Sequence, residues 1–300
     1  MAVSIAESNF LLGWRNHVLA RDDATLECTF GTVSAGSMAA LATMQLSDRV
    51  TLTDTVVGEG AATVQMHWAV SSSDAVAIQL IGLLNYTLSA PGATEVNWSM
   101  TIARAGGGGL EAEPITVYSR PSEDFPAHVW AILDEELDDA YDVIMSVSAS
   151  FGSGGGTLTF SAGGLWLSEL WSLPAGIEAG WAQPLEDNGV LKRSKGNQGY
   201  ARRGSRYRRF RGRAVDVPFE YAFGSEDDPS IVDIQQLLYR VGTTEPVVLF
   251  PRTRRTLAGP RSVHVMHRLG IYCHFERLGE LTHLKADNFA WSGVEAAELM

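Results

Sequence analysis

The segment SVHVMHRLGIYCHF, Ser262 to Phe275, gathers three histidines and one of the chain's two cysteines. On a helix, His264 and His267 would share a side at a spacing that holds a zinc ion, with Cys273 and His274 as further ligands. The segment alternates like a strand, however, and a strand sends His264 and His267 to opposite faces. No metal site is expected there. The chain has no H-E-x-x-H, G-x-S-x-G, Walker loop or C-x-x-C, so neither a catalytic constellation nor a cofactor is indicated. The glycines of Ala105–Gly109 precede no Lys-Ser/Thr and no helix start, which removes a phosphate cradle. Asp134, Glu135, Glu136, Asp138, Asp139 and Asp142 lack the glycine turn of a calcium loop and read as a solvated acidic face. Carboxylates abound, but nothing singles out a glycosidase pair. A non-enzyme is expected.

Trp166, Trp171 and Trp181 form a second candidate group. Exposed indoles stack on sugars, which would make a host glycan the ligand. At strand spacing, tryptophans more often plug a core or an interface.

The strongest signal is basic. Between Lys192 and Arg213 lie ten Lys and Arg residues and no acid, although the whole chain carries a net charge of −12. The remaining 13 bases face all 35 acids. In RYRRFRGRAVDV, strict strand alternation puts Tyr207, Arg209, Arg211, Arg213, Val215 and Val217 on one side. Arg206, Arg208, Phe210 and Asp216 fall on the other. Neither face is apolar near the tip, so a β-arm, about residues 181–217, is expected to project from the body. Arg202, Arg203, Arg206, Arg208, Arg209, Arg211 and Arg213 would pair with carboxylates of an adjoining subunit, with Tyr207 and Phe210 as apolar anchors. Interleaved aromatics also suit nucleic acid, but a general nucleic-acid binder is more often basic overall, which makes DNA the lesser candidate. A solvated loop would leave the bases repelling one another.

The elements that must position these residues read as β. ATLECTF (Ala24–Phe30), VTLT (Val50–Thr53), TVQMHWAV (Thr63–Val70), AVAIQLI (Ala75–Ile81) and EVNWSMTIA (Glu95–Ala103) are strand-like and separated by turn clusters. Closely spaced strands without long helices between them predict an antiparallel sandwich. His128–Phe151 has Leu133, Leu137, Tyr141 and Ile144 at helical spacing and is open to a short helix or to a strand followed by an acidic loop. TLTFSAGGLWLSELW adds a strand pair, and Val215–Phe223 alternates as a further strand. SEDD before Pro229 starts a helix at about 229–241 that Gly242 ends. Pro246–Phe250, Ser262–Leu278 and Leu281–Trp291 read as closing strands. Two cysteines, Cys28 and Cys273, make no disulfide framework. The N-terminus does not read as a signal peptide, and no apolar run is long enough for a membrane span, so synthesis in a reducing cytoplasm is expected.

Several motifs together carry a family resemblance. AVAIQLIGLLNYTLSAPGATEVNWSMTI (Ala75–Ile102), LWLSELWSLPAG (Leu165–Gly176) and GWAQPLEDNGVLKRSKGNQGY (Gly180–Tyr200) followed by YRRFRGRAVDVPF (Tyr207–Phe219) resemble, in order and spacing, the discoidin-like (galactose-binding-like) jelly rolls of tailed-bacteriophage structural proteins. The resemblance spans roughly Ala24 to Phe223, and the last 75 or so residues have the look of a tail-protein C-terminal module. It implies a jelly-roll domain over residues 1–222 bearing the basic arm, and a C-terminal α+β segment over 223–300. It further implies a virion component of the tail tip or baseplate, made in the host cytoplasm. Its partners would be copies of itself in a ring and neighbouring tail proteins. Leu84 departs from a histidine common in the family and Glu169 from an arginine. The sugar-binding loops of true discoidin domains have no match here.

Overall fold

The computed structural model describes residues 10–19, 23–43, 45–107, 110–112, 128–173, 185–187, 190–193, 199–202, 206–228, 231–250, 270–285 and 288–299. Within them the chain is mainly antiparallel β. In the first half lie β1 (Phe10–Trp14), β2 (Thr25–Phe30), β3 (Thr32–Ala35), β4 (Val50–Val56), β5 (Gly60–Ala69), β6 (Val76–Leu84), β7 (Thr87–Ser89), β8 (Ala93–Arg104), β9 (Leu110–Ala112) and β10 (Val129–Phe151). They are followed by β11 (Gly156–Ala162), β12 (Gly164–Leu173), β13 (Leu185–Asp187), β14 (Val190–Arg193), β15 (Gly199–Arg202) and β16 (Arg206–Val217). Two short helices, α1 (Phe219–Phe223) and α2 (Ile234–Val241), precede β17 (Val247–Phe250), β18 (Ile271–Lys285) and β19 (Asn288–Glu298).

The sandwich forms because the strands alternate. In β5, Ala62, Val64, Met66 and Trp68 are buried while the residues between them are half-exposed. Their face meets Leu52 of β4 and Leu158 and Phe160 of β11, so a four-stranded sheet ordered β3-β4-β11-β7 closes over the larger one. The larger sheet has 13 strands, in the order β13-β16-β19-β18-β17-β1-β12-β6-β10-β5-β2, with β8 and β9 branching from β10. Gly36, at φ +74°, turns the chain at the end of β3, where a side chain would strike the Arg49 carbonyl.

His128–Phe151 is resolved in favour of a strand. Val129 to Phe151 form one 23-residue strand, and the acidic stretch lies within it instead of in a loop. Its pairing with β6 shifts register between Ile132 and Leu137 and again between Leu137 and Ala140. These irregularities reset the inward side, so Leu133, Leu137, Ala140 and Val143 are all buried. Bulges thus reproduce the three- and four-residue spacing that suggests a helix.

Two further cores lie along the same sheet. One combines Phe10, Leu12, Trp14, Trp171 and Phe210 with Leu237 of α2 and with Phe275 and Trp291 of β18 and β19. On the opposite side of the sheet, Leu11, Leu80, Trp166, Val248 and Tyr272 join Trp130. The sheet curls there: the His128 ring lies 6.4 Å from Tyr272, and Trp130 meets Phe250 edge-on at 5.7 Å. Since β1 sits between β12 and β17, the sheet continues from the first 222 residues into the C-terminal segment.

Three boundaries differ from the sequence reading. The helix expected at 229–241 begins at Ile234, where the Asp233 carboxylate accepts from the Gln236 amide; Gly242 ends it as expected. Val215–Phe223 is not one strand, because Pro218 breaks β16 and Phe219–Phe223 turn into α1. Leu281–Trp291 is not one strand but covers the end of β18 and the start of β19. Ser262–Gly270 falls outside the described residues except for Gly270.

Candidate functional site

The arginine strand does not project in its described part. From Arg209 to Val217, β16 is paired with β19, and at its start it is paired with β13 on its other side. The expectation of an arm failed at Phe210, which strict alternation placed with Asp216. Register shifts between Gly212 and Ala214, and between Ala214 and Val217, turn Phe210, Ala214 and Val217 all inward. Phe210 is fully buried, 6.4 Å from the Phe10 ring. It is a core residue of its own chain and cannot anchor a neighbour.

The guanidinium groups of the strand find carboxylates at home. Arg208 donates from Nε to Glu298 Oε1 at 2.9 Å, from its backbone amide to Glu298 Oε2 at 2.9 Å, and from Nη2 to the Gly270 carbonyl at 3.1 Å. The Glu298 side chain is fully buried and that of Arg208 is 16% exposed. On the outer side, Arg209 lies 3.0 Å from Glu276 and Arg211 3.6 Å from Glu295. Arg213 is exposed. Register places Arg206 opposite Asp187 and Tyr207 opposite Glu186 of β13. A countercharge on another subunit is therefore not needed to neutralise Arg208, Arg209 and Arg211.

The buried pair sets the chemistry around it. Burial, and then the Arg208 charge, hold His128 down at about 3, so its ring stays neutral while Nδ1 accepts from the Asn85 amide at 3.2 Å. Burial, followed by the Glu298 carboxylate, pushes the Cys273 thiol well up. Such a buried thiol is inert. Among the described residues no group of three or more His, Cys, Asp and Glu could hold a metal ion.

The rest of the basic band behaves differently. β14 and β15 pair with each other, Val190 opposite Arg202 and Lys192 opposite Tyr200, in a two-stranded sheet of their own. Their strands, VLKR and GYAR, contain Lys192, Arg193 and Arg202 and no acid. Arg203 lies outside the described residues.

The tryptophans divide in the same way. Trp166 is fully buried and donates to Ser168 Oγ at 2.8 Å; Trp171 is buried and donates to the Val232 carbonyl at 2.7 Å. Neither has a face left for a sugar, so both are corrected to core residues. Trp181 lies outside the described residues. The two departures from the family pattern are explained locally. Leu84 is buried in the core around Trp130. Glu169 pairs with Arg15 at 3.7 Å, and the Arg15 guanidinium lies 4.5 Å from the Trp14 ring.

Two features escaped the sequence reading. His67 on β5 bridges Glu27 Oε1 at 3.2 Å through Nδ1 and Asp142 Oδ2 at 3.0 Å through Nε2. Burial alone would lower its pKa, but the two carboxylates outweigh it and raise it. These residues are scattered in sequence, and only cross-strand register unites them. The second feature is an aromatic surface on α1. Phe219 and Phe223 are each at least half exposed and lie 6.0 and 5.0 Å from the Phe289 ring, with exposed Glu220, Glu226 and Asp227 alongside in sequence. Taking Val215–Phe223 as a strand hid it.

No protein-family model matches the chain, and no curated protein does. Among solved structures, it is similar to CBM32-1 from a family 31 glycoside hydrolase of Clostridium perfringens. The match has 13% identity and a TM-score of 0.30, over 49% of this chain and 95% of that one. The sheets above define the class: a mainly antiparallel β protein in which a four-stranded sheet closes over a larger one, with two short helices before its last three strands.

Proposed function

We propose that this protein is a non-enzymatic structural subunit that assembles with copies of itself through the basic strand pair β14–β15. The single observation behind this reading is a contrast within one arginine-rich band. β16 lies inside the sheet with its described ion pairs to Glu276, Glu295 and Glu298, whereas β14 and β15 pair with no other strand among the described residues. An isolated two-stranded sheet is marginally stable in water, so a basic one gains most by docking on an acidic surface. The chain supplies such surfaces, since its net charge is −12 despite the band. The sequence resemblance supplies the setting: a tailed-phage virion, at the tail tip or baseplate, with other tail proteins as further neighbours.

The experiment is charge reversal of Lys192, Arg193 and Arg202 to Glu, followed by light scattering on the purified protein. Assembly should be lost while the thermal transition is kept. Normal assembly by the reversed protein would reject the reading. The carbohydrate-binding alternative has lost Trp166 and Trp171 to the core and draws on no other described residue. A nucleic-acid role would show instead as steeply salt-dependent DNA affinity.

A further inference from the structure

We infer that the acceptor for the β14–β15 pair is the aromatic and acidic surface of α1 on a second copy of the chain. The inference rests on the assembly reading above and names the surface that reading leaves open.

Phe219 and Phe223 occupy consecutive turns of α1, with ring centroids 5.4 Å apart. Both lean on Phe289, which they cover: Phe289 is 7% exposed, Phe219 55% and Phe223 50%. Two contiguous phenyl rings on α1, held against Phe289, are unlike the scattered apolar residues of an ordinary surface. The ring cluster also has a sign. Glu220, Glu226 and Asp227 are exposed, and among the described residues 218–228 hold no base. Burial raises the Tyr221 phenol, and the charges of Glu220 and Asp228 add to it.

The complementary surface is the basic pair. Its register sets Val190 opposite Arg202 and Lys192 opposite Tyr200, so the paired positions hold apolar, aromatic and basic residue types. Exposed phenyl rings with three exposed acids close in sequence suit a strand pair that carries Val190, Tyr200 and three bases and no acid. The rings supply the desolvated centre and the charges set orientation. Donor and acceptor are different surfaces of one chain, so the contact is heterologous and propagates from copy to copy. It closes into a ring if the rotation permits and otherwise extends as a filament.

Complementation tests this. One variant loses the acceptor, Phe219→Ser with Phe223→Ser; the other loses the donor, Lys192→Glu, Arg193→Glu and Arg202→Glu. Phe219 and Phe223 are exposed, and thermal melts check that both variants fold. Each variant alone should be monomeric by light scattering, with self-association weakened at least about thirty-fold, the size of a lost interface anchor. Mixed in equal amounts, they should form discrete dimers that grow no further, because each supplies the half the other lacks. A mixture that stays monomeric overturns the inference. An acceptor variant that assembles normally beside a monomeric donor variant overturns it too, leaving the assembly reading intact. A donor variant that assembles normally overturns both. As a second acceptor variant, Glu226→Lys with Asp227→Lys should weaken association without removing a ring, and unchanged association would count against the inference.

Discussion

Arg208 and Glu298 face each other across adjacent strands, and both carboxylate oxygens of Glu298 accept from Arg208, one from the side chain and one from the backbone amide. The pair ties the last strand of the chain to the arginine strand. A buried carboxylate held this way is costly to orphan but not necessarily stabilising against an apolar replacement.

A double-mutant cycle should expose that asymmetry. Arg208→Met alone leaves Glu298 buried without its partner and should cost about 3–5 kcal/mol. Arg208→Met with Glu298→Leu should recover most of the loss. Urea unfolding with unchanged slope measures both. Near-additive losses would mean that the pair is not coupled as its geometry requires.

His67 gives a pH dependence of known sign. Its folded pKa is raised above the ordinary 6.5, so the folded state holds a proton that the unfolded state has released. The stabilisation is fully present below about pH 6.5 and is lost as pH rises through the folded value. Wild type minus His67→Gln, measured by chemical unfolding between pH 6 and 8.5, should therefore shrink as pH rises. A difference flat over that range contradicts the bridge to Glu27 and Asp142.

His128 has the opposite sign. Its folded pKa is depressed to about 3, so acid protonates the unfolded state first. The contribution is complete above pH 6.5 and is lost as pH falls towards 3. His128→Gln should flatten the acid side of the stability profile. An unchanged acid limb would show that the ring is not held neutral.

Gly82 permits a close approach. A Cβ there would run into the Trp130 indole, itself fixed in the core with Trp166 and Tyr272. Gly82→Ala should destabilise by about 1–3 kcal/mol, as overpacking does. A neutral substitution would mean that the curled sheet is looser than its contacts imply.

Much of the sandwich was legible because its strands keep strict alternation; β5 reads the same in sequence and in structure. The arm was not, and the reason is parity. Two register shifts in β16 put Phe210 and Val217 on one face although they are an odd number of residues apart, and strict alternation therefore misread a core strand as an unburiable one. The same effect in β10 imitated a helix. The acids that neutralise the arginines, Glu276, Glu295 and Glu298, sit more than sixty residues downstream on two other strands, a pairing that only the fold reveals. The strand pair β14–β15 was legible as basic, but its separation from the arginine strand was not.

The most direct measurement is light scattering on the wild-type protein and on the Lys192→Glu, Arg193→Glu, Arg202→Glu variant, at low and high salt. The account predicts assemblies for wild type that weaken with salt, and a folded monomer for the variant at every salt concentration. Equal masses for the two proteins, whether both assemble or both stay monomeric, would contradict it.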